Sequence, residues 1–170
     1  MTSKKQWVYA FSEGDGKNKK LLGGKGANLC EMTQIGLNVP PGFVITTEAC
    51  LHFLDEKNNA LPDDMMQQVK AHMAKVEEET GKKFGDPDNP LLVSVRSGSA
   101  LSMPGMMDTI LNLGLNEETL QGEIRQTGDA RFGYDAYRRF IQLFGKVAMN
   151  VPDDIFDEQF DAVKQKAGIK

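Results

Sequence analysis

Cysteine, histidine and tryptophan are all scarce in this sequence, which holds two cysteines, two histidines and one tryptophan. Two cysteines cannot build a disulfide framework, and Cys30 and Cys50 lack the short spacing of a zinc ligand pair. Both fall in helical patterns with apolar neighbours and are read as buried free thiols. His52 and His72 also fall in helical patterns, with no carboxylate or cysteine at ligand spacing, and are read as satisfied or exposed side chains rather than catalytic ones. Long apolar runs are missing too. No stretch reaches the ~20 residues of a membrane span, so no membrane partner is expected. The lysines between Met1 and Trp7 are followed by no apolar run, which excludes a secretory signal there and makes the cytoplasm the expected location. Positive charge is in deficit, with 20 Lys and Arg against 24 Asp and Glu and a formal net charge of -4, so no nucleic-acid partner is expected. A nucleotide polyphosphate needs only a local basic pocket, and the overall sign does not exclude it.

What is present suits a folded domain. The hydrophobic share is 40% and the charged share 26% over 170 residues, enough for a real core and for one domain or two small subdomains. Trp7 to Phe11 reads as a short strand. A polar loop from Ser12 to Lys20 leads through Leu21 and Leu22 into Gly23-Gly24-Lys25-Gly26. A helix then carries Leu29, Met32 and Ile35 on one face, with Gly36 at its C-terminal cap. Phe43 to Thr46 reads as a strand, with Thr47 capping a helix whose apolar side is Leu51 and Leu54. Pro62-Asp63 opens a longer helix with Met66, Val69, Met73 and Val76 at helical spacing, stopped at Gly81. Leu91 to Val95 is a near-continuous apolar run, the pattern of a buried strand. Thr109 and Ile110 begin another strand. From there the pattern is helical: Asn116 caps Glu117 to Gln126, Asp129 caps a long helix bearing Tyr137, Phe140, Ile141, Phe144 and Val147, and Pro152-Asp153 starts a last one with Phe156, Phe160 and Val163. The expected class is α+β, with a mixed subdomain over residues 1–115 and a helical subdomain over 116–170.

Three segments carry chemistry. Gly23, Gly24, Lys25 and Gly26 open a helix, where glycines let backbone approach a ligand, free N–H groups and the helix dipole favour an anion, and the lysine adds a point charge for phosphate. The Walker A spacing is absent, and the same residues also suit a plain glycine turn with an exposed lysine. Arg96 ends the apolar strand beside Ser97-Gly98-Ser99, at the crevice where α/β proteins bind ligands, and its planar fork suits phosphate oxygens. A structural arginine paired with a carboxylate is the alternative. Ser102 to Thr109 reads as a folded loop whose Met106 and Met107 either lie flexibly against a planar base or plug the core beneath.

Taken together, these segments resemble a known family. Leu21 to Leu29, Pro40-Pro41-Gly42-Phe43, Thr46 to Cys50, Leu91 to Gly98, Ser102 to Gly114 and Asp135 to Gln142 are similar to the start of the pyruvate phosphate dikinases. The related phosphoenolpyruvate synthases share the Gly-Gly-Lys loop and the Arg-Ser strand end, whereas the Ser-Met-Pro-Gly-Met-Met-Asp-Thr loop looks like the dikinases. The resemblance implies the N-terminal part of an ATP-grasp-like nucleotide-binding domain followed by a helical subdomain. It implies that Lys25 and Arg96 contact ATP phosphates, and that Gly23, Gly24, Gly105, Met107, Asp108 and Thr109 complete the nucleotide site, the loop from Gly105 to Thr109 closing over it. It further implies ATP and Mg2+ as cofactors of a full-length enzyme, with the magnesium ligands outside this chain. The partners implied are a phosphohistidine domain and a C-terminal barrel of the same longer chain, in a homodimer. No relay histidine of that kind and no barrel are found here, so the chain alone is expected to be inactive. A stand-alone nucleotide- or partner-binding module and a piece of a phosphoenolpyruvate synthase are the competing readings.

Overall fold

The computed structural model describes residues 5–55, 60–99 and 108–169. They divide into two units, Met1–Gly81 with Ser97–Met107 and Lys82–Arg96 with Asp108–Lys170.

In the first unit, β1 (Val8–Ala10) pairs antiparallel with β2 (Phe43–Ile45), Val8 opposite Ile45 and Tyr9 opposite Val44. Side chains alternate across such a ribbon, and both faces are used. Val8 and Phe43 pack with Trp7, Ala49, Met65 and Val69. Tyr9 and Val44 pack on the other side with Leu22, Ala27 and Cys30. The helices are α1 (Lys19–Gln34), α2 (Thr47–Leu54) and α3 (Met65–Thr80). Gln68 of α3 acts in place of a further strand: its Oε1 accepts from the backbone N–H groups of Trp7 at 2.8 Å and Val8 at 3.2 Å, and its Nε2 donates to the Lys5 carbonyl at 2.8 Å. The Trp7 indole N–H donates to Asp64 at 2.8 Å, so the buried ring leaves no polar atom unpaired.

The helices form where expected, but several bury a different face. On α1 the buried residues are Leu22, Gly23, Gly26, Ala27 and Cys30, while Ile35, just past its end, is 68% exposed. The cause is close approach: a β-carbon at Gly26 would meet a Val44 methyl at 2.8 Å, so the small residues, rather than the larger apolar ones, face β2. On α2 it is Ala49 that is buried, and Leu51 is 67% exposed. The cap is Thr46, whose extended backbone suits an N-cap and whose side chain accepts from Ala49 N, because Thr47 is already helical. Cys50 is exposed, correcting the expectation of two buried thiols, whereas Cys30 is buried. On α3 the buried row starts at Met65, not Met66, and Gly81 ends it in the left-handed conformation.

In the second unit, β3 (Val93–Arg96) pairs antiparallel with β4 (Thr109–Leu113). The register shifts between Val93 and Val95, opposite Leu113 and Ile110, and Asn112 sits in this bulge with φ 58. The apolar run ending in β3 is not the buried strand expected: Leu91 is buried, but Val95 is 47% exposed. The ribbon packs on helix α5 (Ala130–Met149) through β4, which leaves β3 outermost among the described residues. Helix α4 (Glu117–Thr127) starts with a capping box between Asn116 and Thr119. Its Arg125 and Gln126 bind the backbone of the 87–88 turn, at 2.9 Å to the Pro87 carbonyl and 2.8 Å to that of Asp88. Asp129 caps α5, and α6 (Asp153–Lys166) has no buried residue. Every described strand precedes Leu115, and every described element after it is a helix, while the two units cut across that point because β3 and β4 pack with α5. The fold is α+β.

Candidate functional site

The glycine segment lies inside α1 and breaks it. Asn18 caps a first turn, its side chain accepting from Leu21 N at 3.1 Å. At Gly23 the backbone turns to φ 70, ψ 164, a conformation that essentially only glycine adopts, and a second helical piece follows. The break redirects hydrogen bonds. Gly24 N–H donates to the Ser99 carbonyl at 2.8 Å, and the exposed Lys25 ammonium donates to the Ser97 carbonyl at 3.2 Å. The segment therefore presents a fixed bend with a cation held at its rim. Gly23, Gly24 and Lys25 are thus brought together with the Ser97–Ser99 backbone, all within the first unit.

Arg96, Asp108 and Thr109 form a second group, in the other unit. Arg96 and Thr109 are cross-strand partners at the open end of the β3–β4 ribbon, so the strand-end arginine and the end of the methionine loop meet through register alone. Asp108 is exposed, and its charge helps raise the Lys146 pKa, which the carboxylate of Asp153 raises most. Gly105 and Met107, with Met106, lie outside the described residues.

A cluster that spacing in the sequence did not reveal joins the start of the first loop to α3. Glu13 accepts from Lys75 at 3.1 Å and from Ala10 N at 3.3 Å, and these contacts, led by the Lys75 hydrogen bond, hold its carboxyl below the usual range. His72 lies beside it, Nε2 at 3.6 Å from Glu13 Oε2, while its Nδ1 donates to the Gln68 carbonyl at 2.8 Å. The 59-residue separation of Glu13 and His72 explains why no local pattern signalled it. A hollow of about 240 Å³ between α5 and α6 is lined by Arg138, Gln142, Phe156 and Phe160 among others, and none of the candidate residues lines it. Among the described residues, no group of three or more His, Cys, Asp or Glu could hold a metal ion, and no helix is long and apolar enough to cross a membrane.

The family model described as "Pyruvate phosphate dikinase, AMP/ATP-binding domain" matches residues 19–63 and 57–164. The chain is 58% identical over 165 residues to the pyruvate, phosphate dikinase of Entamoeba histolytica, covering 97% of this chain and 18% of that protein. It is 49% identical over 164 residues to that of Clostridium symbiosum, covering 96% of this chain and 19% of the relative. It is 52% identical over 159 residues to pyruvate, phosphate dikinase 2 of Zea mays, covering 94% and 18%. The chain thus spans about a fifth of the length of the curated relatives it matches.

Proposed function

The chain belongs to the pyruvate phosphate dikinase family, and from that premise we propose that it is the N-terminal ATP-binding portion of such an enzyme. The observation that carries this reading is the family match running through both candidate groups, from the helix break at Gly23 to the Arg96–Thr109 strand pair. The whole enzyme converts ATP, phosphate and pyruvate into AMP, pyrophosphate and phosphoenolpyruvate. The phosphoryl group travels on a histidine of a separate domain and reaches pyruvate in a C-terminal barrel, in a homodimer located in the cytoplasm. The present chain contributes part of an ATP-grasp-like domain, residues 1–115, and a helical subdomain, 116–170.

In this reading Lys25 and Arg96 hold ATP phosphates. The Lys25 ammonium exchanges the Ser97 carbonyl for a phosphate oxygen, a stronger charge-assisted contact. Arg96 offers two parallel N–H donors to one phosphate group. Gly23 and Gly24 let the polyphosphate approach the backbone, and Thr109, paired with Arg96, anchors the end of a loop from Gly105, with Met107 and Asp108, that closes over the nucleotide. Because phosphoryl transfer involves loose bonds to the moving group, positioning and charge stabilisation by these residues are what the site supplies. Magnesium would offset phosphate charge when bound. Its ligands are assigned to parts of the enzyme outside this chain.

The test is turnover by the purified 170-residue protein given ATP, phosphate and pyruvate. No phosphoenolpyruvate is expected, since the relay histidine and the barrel belong to other parts of the enzyme. Sustained turnover would overturn the reading.

A further inference from the structure

An unbroken helix through Gly23 would pair the Gly24 N–H with the Lys20 carbonyl and the Lys25 N–H with the Leu21 carbonyl. The break sends Gly24 N–H to Ser99 instead, so the Lys20 carbonyl needs another donor. It has one. The Thr47 hydroxyl, from the first turn of α2, donates to the Lys20 carbonyl at 2.6 Å and lies 3.2 Å from the Leu21 carbonyl. The Thr47 side chain thus satisfies the carbonyl that the bend releases, as Ser99 satisfies the released N–H. Its neighbour Thr46 already serves as the N-cap of α2, which leaves the Thr47 hydroxyl free for this task.

We propose that Thr47 is a positioning residue: its hydroxyl, donated to the Lys20 and Leu21 carbonyls, holds α1 broken at Gly23 and keeps the Gly23–Lys25 bend in the shape that receives phosphate. The inference rests on the nucleotide reading above for its consequence in catalysis, but not for its geometry. Thr47 touches no reacting atom and acts through the bend. Both carbonyls lie in a partly open region, so water replaces part of the bond when the hydroxyl is removed. The expected effect is therefore that of one neutral hydrogen bond, roughly three- to tenfold.

The experiment compares Thr47→Val, which keeps the shape and removes the donor, with Thr47→Ser, which restores it. Amide hydrogen exchange of the 170-residue protein should be roughly three- to tenfold faster at Gly24 in Thr47→Val, unchanged at the β1–β2 amides, and normal in Thr47→Ser. A variant that merely destabilised the fold would quicken exchange throughout the first unit. Should Thr47→Val not fold, Thr47→Ala, with high helix propensity at that first helical position, gives the same reading. In the full-length dikinase carrying this segment, Thr47→Val should slow the ATP half-reaction by a similar factor, spare the phosphohistidine–pyruvate exchange, and be rescued by serine. Gly24 exchange equal to wild type, serine as damaging as valine, or an ATP half-reaction untouched by Thr47→Val while Arg96→Ala impairs it would each overturn the proposal. If Arg96→Ala and Thr47→Val both leave that half-reaction intact while Gly24 exchange quickens, the nucleotide reading has failed and the grip of Thr47 on the bend stands.

Discussion

The two units of the chain solve the burial problem differently. The first wraps a short ribbon on both faces and ties it with polar side chains: Gln68 completes the edge of β1, Asp64 takes the indole N–H of Trp7, and Thr46 is buried as a cap. The second carries the longest described helix, α5, yet has fewer buried side chains, and α6 buries none. Val163, the last residue of its expected apolar row, is 64% exposed. Apolar content therefore does not rank the units. Close approach does: small residues such as Gly26, Ala27 and Ala49 let α1 and α2 settle on the ribbon, and the stability of the first unit should exceed that of the second.

The largest difference is expected on removal of the first unit's central side chain. Trp7→Ala should cost about 3–5 kcal/mol, the usual range for truncating a buried large aromatic. Phe160→Ala on α6, where the ring is 43% exposed and lies under Arg138 and Lys164, should cost about 1 kcal/mol or less. Denaturant titration of each variant gives both figures, and equal losses would refute the contrast. A second effect needs no mutation. Trp7 is the only tryptophan, so its fluorescence follows the first unit alone, whereas helical ellipticity follows both. Ellipticity should begin to fall at lower denaturant than the fluorescence changes, and coincident curves would mean one cooperative whole. Thiol labelling separates the two cysteines: exposed Cys50 should react readily in the folded protein. Cys30 should react only on unfolding, because burial shields its sulfur and pushes its thiol pKa up.

The smallest effect is electrostatic. Lys75, Ala10 N–H and His72 hold the Glu13 carboxyl below its ordinary pKa, so its contribution to stability is present above the ordinary carboxylate range and is lost as pH falls through the lowered value. Glu13 is substantially exposed, and screening limits the gain to about 0.5 kcal/mol or less. Glu13→Gln should therefore be slightly less stable than wild type at pH 7, with the gap closing as pH falls through the lowered Glu13 value. A gap that widens on acidification would contradict the assignment.

These outcomes also mark what the sequence could convey. Most capping residues were legible because they act locally: Asn116, Asp129, Gly36 and Gly81 sit where their helices start and stop, although α2 is capped by Thr46 and not by Thr47. The burial of particular faces was not, because periodicity fixes which residues share a face but not which face meets a neighbour. Met65 in place of Met66, and Ala49 in place of Leu51, follow from packing between elements distant in sequence. The glycine segment was legible as a ligand-type loop, yet its place as a break within a helix depends on Ser99 and Thr47, more than twenty residues away in sequence. The Arg96–Thr109 pairing likewise depends on a strand register that no local pattern states.

The central claim is that Lys25 and Arg96 hold the phosphates of ATP in the first step of a two-step reaction. It is tested most directly by measuring the two half-reactions separately in the full-length enzyme bearing Arg96→Ala. The ATP-dependent phosphorylation of the relay histidine should fall by about two to three orders of magnitude, the usual loss of roughly 2–4 kcal/mol when one such donor is removed from a transition state. Lys25→Ala should be milder, because the backbone of the bend remains. The exchange between phosphohistidine and pyruvate should be unchanged. Equal loss in both half-reactions would mean that Arg96 supports the fold and not the phosphates.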